Sequence, residues 1–99
     1  MKNLIIHPKD PTTDFLSPIY APLKNKTVIT GGITKYELRK LIYNHERVIM
    51  LGHGSTYGLL SVGQFPDSGL YVVKDMMYRL FINKIGSIFI WCHADEYVK

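Results

Sequence analysis

Four short apolar segments, at residues 4–6, 27–30, 48–51 and 88–91, divide the chain. Each is rich in β-branched or aromatic residues and is followed by proline, glycine or polar residues, which is typical of buried strands. Segments with helical spacing lie between them. Strands that alternate with helices form parallel sheets, and right-handed crossovers place the helices on both faces. The pattern therefore predicts a small open α/β sheet of mainly parallel strands.

The clearest helix signal starts at Thr34, because Thr34 and Glu37 have the spacing of a capping box. An apolar stripe continues this helix through about residue 44. A shorter helix is expected after residues 12–14, where Pro18 limits its length. Asp75 is placed to cap a third helix before the last strand.

Two further apolar segments, at residues 58–62 and 70–73, flank a turn-forming stretch at residues 65–69. This pattern predicts a short β-hairpin after His53. A length of 99 residues suits one domain, so residues 1–99 are expected to form a single α/β domain.

Charge and cysteine content narrow the functional classes. The formal net charge is +4, but the lysines and arginines are scattered, so we expect weak attraction to anionic ligands and no specific nucleic-acid polymer. One cysteine excludes an internal disulfide, which favours a reducing compartment. No apolar segment has the length of a signal peptide or a membrane span. We therefore expect a cytoplasmic protein with no membrane partner and no cofactor.

Chemically useful residues follow the predicted strands. In an open parallel sheet, ligands bind in the crevice beyond the carboxyl ends of the strands. His53 follows the third predicted strand and Cys92 the fourth, so adjacent strands would bring an imidazole and a thiol together. The thiolate is the attacking form of cysteine, and a nearby imidazole can take its proton. His53 and Cys92 are therefore predicted as a catalytic pair.

Two passages, VIMLGHGSTYGLL and SIFIWCHAD, resemble the caspase-like (clan CD) cysteine peptidases, in which one apolar strand ends in His-Gly and another in Cys. The wider chain is similar to bacterial proteins of Bacteroides-type genomes. The resemblance implies a Rossmann-like, caspase-like core that hydrolyses a peptide or another acyl substrate. It also implies that His53 is the general base or ion-pair partner, Cys92 the nucleophile, and the Gly54 amide a donor to the oxyanion.

Two alternatives stay open beside the hydrolase. One is a small bacterial or phage binding protein that sequesters a small anionic ligand, such as a nucleotide signal, in the same crevice. Its candidate ligand-binding residues all follow predicted strands: His7, Lys9, Thr30, Gly31, Gly32, Ser55, His93 and Asp95. Their spacing is not that of a compact metal site, and no metal is expected. The other alternative is an interaction protein, since the open edges of a four-stranded sheet favour a homo-oligomer.

Overall fold

The computed structural model describes residues 2–81, Lys84, residues 86–91 and Tyr97, with only the backbone of residues 75, 76 and 78. Its strands in chain order are β1 (Asn3–Ile6), β2 (Lys26–Ile29), β3 (Arg47–Leu51), β4 (Gly54–Ser55), β5 (Gly58–Leu60), β6 (Tyr71–Lys74) and β7 (Ile88–Ile90). One sheet has four parallel strands in the order β2-β1-β3-β7, and the other has three antiparallel strands in the order β4-β5-β6. The predicted α/β class and parallel sheet are confirmed.

β3 is central in the larger sheet, because it pairs with β1 on one side and β7 on the other. Ile6 is opposite Met50, and Leu51 is opposite Ile90. All of β1 and nearly all of β3 are buried. Parallel strands covered on both faces need apolar side chains at successive positions, which explains why these segments show no polar alternation.

The helix α1 (Lys35–Tyr43) begins where the sequence predicts it. The Thr34 hydroxyl accepts the Glu37 amide at 3.2 Å, and the Glu37 carboxylate accepts the Thr34 amide at 3.0 Å. Backbone and side-chain hydrogen bonds from Thr34 lower the pKa of the Glu37 carboxyl, so the cap stays ionised to a lower pH than an unbonded glutamate would. Leu38 and Ile42 pack against apolar side chains of β1 and β3, which holds α1 on one face of the sheet.

The opposite face of the sheet is covered by the connection between β1 and β2. Tyr20 is buried there against Ile5, Ile49 and Leu51. The connection contains a 3₁₀ helix (Asp14–Ile19) with Pro18 inside it. Proline lacks the amide that a longer helix requires. The expectation of helices on both faces is therefore not confirmed, since α1 has only this 3₁₀ turn as its counterpart among the described residues.

The predicted hairpin is present as β5 and β6, and β4 adds a third strand. Gly58 has φ +143°, and a Cβ at this position would overlap the Val73 carbonyl group of β6. Only glycine allows so close an approach of two backbones. The helix predicted at Asp75 is a second 3₁₀ helix (Asp75–Leu80) directly after β6.

In the ranges that the structure describes, no helix is both long enough and apolar enough to cross a bilayer. The cytoplasmic location stays a prediction. The assignment of residues 1–99 to one domain also stays a prediction.

Ile42→Ala should lower the free energy of unfolding by about 2–5 kcal/mol, because Ile42 is fully buried and its removal leaves a cavity beneath α1. Tyr43→Ala is the matched control on the same helix, since the Tyr43 side chain is 80% exposed. Its effect should stay within about 0.5 kcal/mol. Urea unfolding followed by circular dichroism measures both, and equal losses would contradict the packing of α1 described above.

Candidate functional site

The segments that follow β1, β3 and β7 leave the sheet side by side. β3 is hydrogen-bonded to both neighbours, and the Gly52 amide continues the pairing by donating to the Ile90 carbonyl at 3.1 Å. His53 follows Gly52 directly, and Trp91 follows Ile90. At the carboxyl edge of the sheet, His53 therefore follows β3 and lies between the segment that follows β1 and the segment that follows β7.

His53 is bound by the loop that follows β1. Its side chain is 46% exposed, and Nε2 lies 2.6 Å from the Thr12 hydroxyl and 3.6 Å from a carboxylate oxygen of Asp10. The other carboxylate oxygen of Asp10 accepts the Thr12 amide at 2.8 Å and the Thr12 hydroxyl at 2.7 Å. The three residues form one hydrogen-bonded group, which we call the His53 triad.

Hydrogen bonding within the His53 triad determines which nitrogen of His53 carries a proton. The Thr12 hydroxyl has one hydrogen, and the Asp10 carboxylate can only accept. The hydroxyl therefore donates to Asp10, and His53 Nε2 must donate its N–H to the Thr12 oxygen. In a neutral imidazole the second nitrogen is then an acceptor. In that neutral form Nδ1 of His53, which no described residue bonds, is the acceptor nitrogen.

The pKa of the Asp10 carboxyl is lowered, chiefly by the Thr12 hydroxyl, then by the Thr12 amide, with the positive charge of His53 adding a smaller effect. Each of these interactions favours the charged carboxylate. The ionised Asp10 carboxylate therefore contributes to the stability of the folded protein above the ordinary pKa of aspartate. This contribution is lost as the pH falls through the lowered pKa. The His53 triad is therefore intact at neutral pH.

Trp91 fixes the end of β7 to the segment that follows His53. The indole N–H donates to the Ser55 carbonyl at 2.8 Å, and the ring is 8% exposed. A Cβ at Gly54 would overlap the Trp91 ring, so the backbone of Gly54 lies directly against it.

The amide of Gly54 is directed away from the hairpin. The Leu60 amide donates to the His53 carbonyl at 2.8 Å, which makes these two residues a hydrogen-bonded pair. Gly54 and Leu59 come next in the antiparallel register and are the non-hydrogen-bonded pair. The Gly54 N–H therefore faces outward from the strand pair and is available to another group.

Cys92, His93 and Asp95 lie outside the described residues, so their predicted roles stay predictions. The residues on either side are described, and the rings of Trp91 and Tyr97 are 5.3 Å apart. The Tyr97 hydroxyl donates to the Lys74 carbonyl at 2.6 Å. Trp91 and Tyr97, which flank residues 92–96 in sequence, therefore both belong to the hydrophobic core that contains Leu38 and Ile42 of α1. Among the described residues, no group of three or more histidines, cysteines and carboxylates is placed to bind a metal ion.

His7, predicted to bind a ligand, is 3% exposed and has both ring nitrogens engaged. Nδ1 lies 2.8 Å from the Tyr20 hydroxyl, and Nε2 lies 3.0 Å from the Thr13 carbonyl. These bonds join β1 to the 3₁₀ connection that covers the sheet. The arrangement favours a role for His7 in positioning that connection.

Lys9 and Thr30 lie next to each other at the carboxyl ends of β1 and β2, and their predicted role in ligand binding stays a prediction. The Lys9 amide donates to the Thr30 carbonyl at 2.9 Å. Both residues line a cavity of about 190 Å³, together with His7 and Asp14. One cation and one carboxylate thus face this cavity.

Gly31, Gly32 and Ser55 are held by other parts of the chain. The Gly32 amide donates to the Gln64 carbonyl at 2.8 Å, and a Cβ at Gly31 would overlap Gln64. The Ser55 hydroxyl lies 2.9 Å from the Tyr71 hydroxyl. The Gly32 amide is thus already used within the fold.

Asp10 and Thr12 are the site residues that the sequence analysis misses. The pattern Asp-Pro-Thr is a usable signal, because an aspartate often accepts the amide two residues later in a turn. The sequence carries no signal that this turn contacts His53.

Comparison with known proteins supports no family assignment. No family model matches the chain, and no curated protein or solved structure matches it. The function must therefore be argued from the geometry of the site.

Thr12→Val should raise the pKa of Asp10, because the Thr12 hydroxyl is the largest cause of its lowering. His53→Gln removes only a charge with a smaller effect and should raise the pKa of Asp10 by less. Titration of the Asp10 carboxyl carbon by NMR measures both. A larger rise in the His53 variant would show that the imidazole charge, and not the hydroxyl, holds the carboxylate.

Proposed function

We propose that the chain is a caspase-like cysteine hydrolase, in which His53 activates the Cys92 thiol toward a peptide or another acyl substrate. The observation that supports this most directly is the pairing of β3 with β7, from which His53 and Cys92 follow in sequence. The bond between Trp91 and Ser55 adds a second link between the two segments. The contact of Cys92 with His53 is itself part of the proposal.

The His53 triad supports a role for His53 as a base. With Nε2 donating to Thr12, Nδ1 accepts a proton, and the resulting imidazolium lies 3.6 Å from the Asp10 carboxylate. The protonated ring that the reaction generates would therefore lie beside a negatively charged group.

The proposed reaction has two stages. The Cys92 thiol transfers its proton to Nδ1 of His53 as the sulfur bonds to the acyl carbon, and the imidazolium then protonates the departing amine or alcohol. Water next adds to the thioester, giving a proton to His53, and the thiolate that departs takes up that proton. The outward-facing Gly54 amide is the proposed donor to the oxyanion in both stages. Loss of one such donor typically raises the activation free energy by about 2.7–4 kcal/mol.

A second candidate function is capture of a small anionic ligand, such as a nucleotide signal, at the carboxyl ends of β1 and β2. It is favoured by the cavity that His7, Lys9 and Thr30 share. The Lys9 ammonium supplies the attraction, while the Asp14 carboxylate in the same cavity opposes it. This balance places the second candidate behind the hydrolase.

Alkylation by iodoacetamide tests the hydrolase, because Cys92 is the only cysteine and every label reports on it. An unassisted thiol, with a pKa of about 8.5, is only a few per cent thiolate at pH 7. Pairing with His53 should make labelling at pH 7 about tenfold faster than in His53→Gln. Thr12→Val should have a smaller effect, since it leaves the imidazole in place.

His45→Gln is the matched control for the alkylation rate. His45 contacts the Leu41 carbonyl and Thr27, so its replacement leaves the carboxyl edge unchanged. Labelling at one rate in the wild-type, His53→Gln and His45→Gln proteins would refute the pairing of Cys92 with His53.

Thermal unfolding with added nucleotides tests the second candidate. A nucleotide at 100 times its Kd should stabilise the folded protein by about 2.7 kcal/mol. Lys9→Gln should abolish the shift in the midpoint, and Cys92→Ala should retain it. If no nucleotide shifts the midpoint, this function is wrong.

A further inference from the structure

A basic cavity of about 190 Å³ lies between α1 and β6 and shares no lining residue with the cavity at the ends of β1 and β2. Three cationic side chains line it, from Lys35, Arg39 and Lys74. The rest of the described lining comes from Leu38, Tyr71, Val72 and Met77. This basic cavity therefore combines three positive charges with partly apolar walls.

Among the described residues, no carboxylate forms an ion pair with the cations of the basic cavity. The carboxylates at the start of α1 accept hydrogen bonds from backbone amides and not from these cations. Glu37 accepts the Thr34 amide, and Asp67 accepts the Lys35 amide at 2.8 Å. Lys35 and Arg39 are one helical turn apart, a spacing at which like charges destabilise a helix. An anion in the cavity would relieve this repulsion.

We propose that the basic cavity binds a phosphate monoester with a compact apolar or aromatic body. A phosphate dianion offers several acceptor oxygens in different directions, which suits cations that approach from both α1 and β6. The guanidinium of Arg39 can bind two of these oxygens at once. The half-buried Tyr71 ring and the exposed part of Met77 offer contact to the apolar body, and a bare inorganic anion would leave that surface unused.

The cavity has room for a longer ligand on one side. Arg39 and Met77 also line an adjoining cavity of about 300 Å³, whose other lining residues, among those that the structure describes, are Arg79 and Leu80. This extension repeats the pairing of a cation with an apolar side chain. Its lining therefore suits the same chemical class of ligand.

Calorimetric titration of the full chain with phenyl phosphate tests the proposal. Arg39→Gln should raise the Kd about tenfold, as expected for the loss of hydrogen bonds to a charged group. Lys40→Gln is the matched control, because Lys40 is the next residue of α1 and its ammonium lies over the Tyr36 ring. Its Kd should change less than about twofold, as a screened surface charge requires. Lys35→Gln, at an exposed position, should also weaken binding. It replaces Arg39→Gln in the test if that variant does not fold.

Three comparisons decide between sources of the binding energy. Inorganic phosphate and phenylacetate should each bind more weakly than phenyl phosphate, because one lacks the apolar body and the other lacks the second charge. Lys9→Gln should leave the Kd unchanged. The proposal is overturned if phenyl phosphate does not bind at millimolar concentration, if Arg39→Gln and Lys40→Gln weaken binding equally, or if Lys9→Gln abolishes binding. Failure here leaves the alkylation of Cys92 unaffected, so the two proposals fail separately.

Discussion

The pairing of β3 with strands on both of its sides is the constraint on which the rest of the structure depends. A strand in that position must satisfy its backbone on both edges, and burial on both faces requires the apolar side chains that β3 carries. Polar side chains are therefore confined to the ends of the strand, where Arg47 begins β3 and His53 follows it. Because parallel strands end at a common edge, the segments after β1 and β3 meet there, and Thr12 comes within 2.6 Å of His53.

Elements with local signals are predictable from the sequence. The apolar segments of the parallel sheet and the capping box of Thr34 and Glu37 each need only neighbouring residues. The 3₁₀ character of the segment before Tyr20 is less predictable, because Pro18 indicates a short helix but not its hydrogen-bond pattern. β4 has only two residues and no apolar alternation, so its pairing with β5 becomes apparent only in three dimensions.

The candidate site is predictable only in part. The place of His53 at the end of β3 follows from the apolar pattern, whereas its contact with Asp10 and Thr12 depends on how the loop after β1 folds over the sheet edge. No periodic pattern encodes a contact between residues 41 positions apart. The burial of His7 cannot be predicted from the sequence for the same reason. Its partner Tyr20 belongs to the connection between β1 and β2, which covers the sheet face opposite α1. The pairing of His53 with Cys92 stays a prediction.

Ser55 connects parts of the molecule that are far apart in sequence. Its carbonyl accepts the Trp91 indole, and its hydroxyl bonds to Tyr71, so the end of β7 is joined through β4 to β6. A two-stranded hairpin is only marginally stable alone, and β4 adds only two residues to β5 and β6. Trp91, by contrast, packs in the main core against Phe89. The backbone of Gly54, which lies directly against the Trp91 ring, is therefore supported by the packing of Trp91 as well as by the hairpin, so an apolar contact helps to hold a polar site.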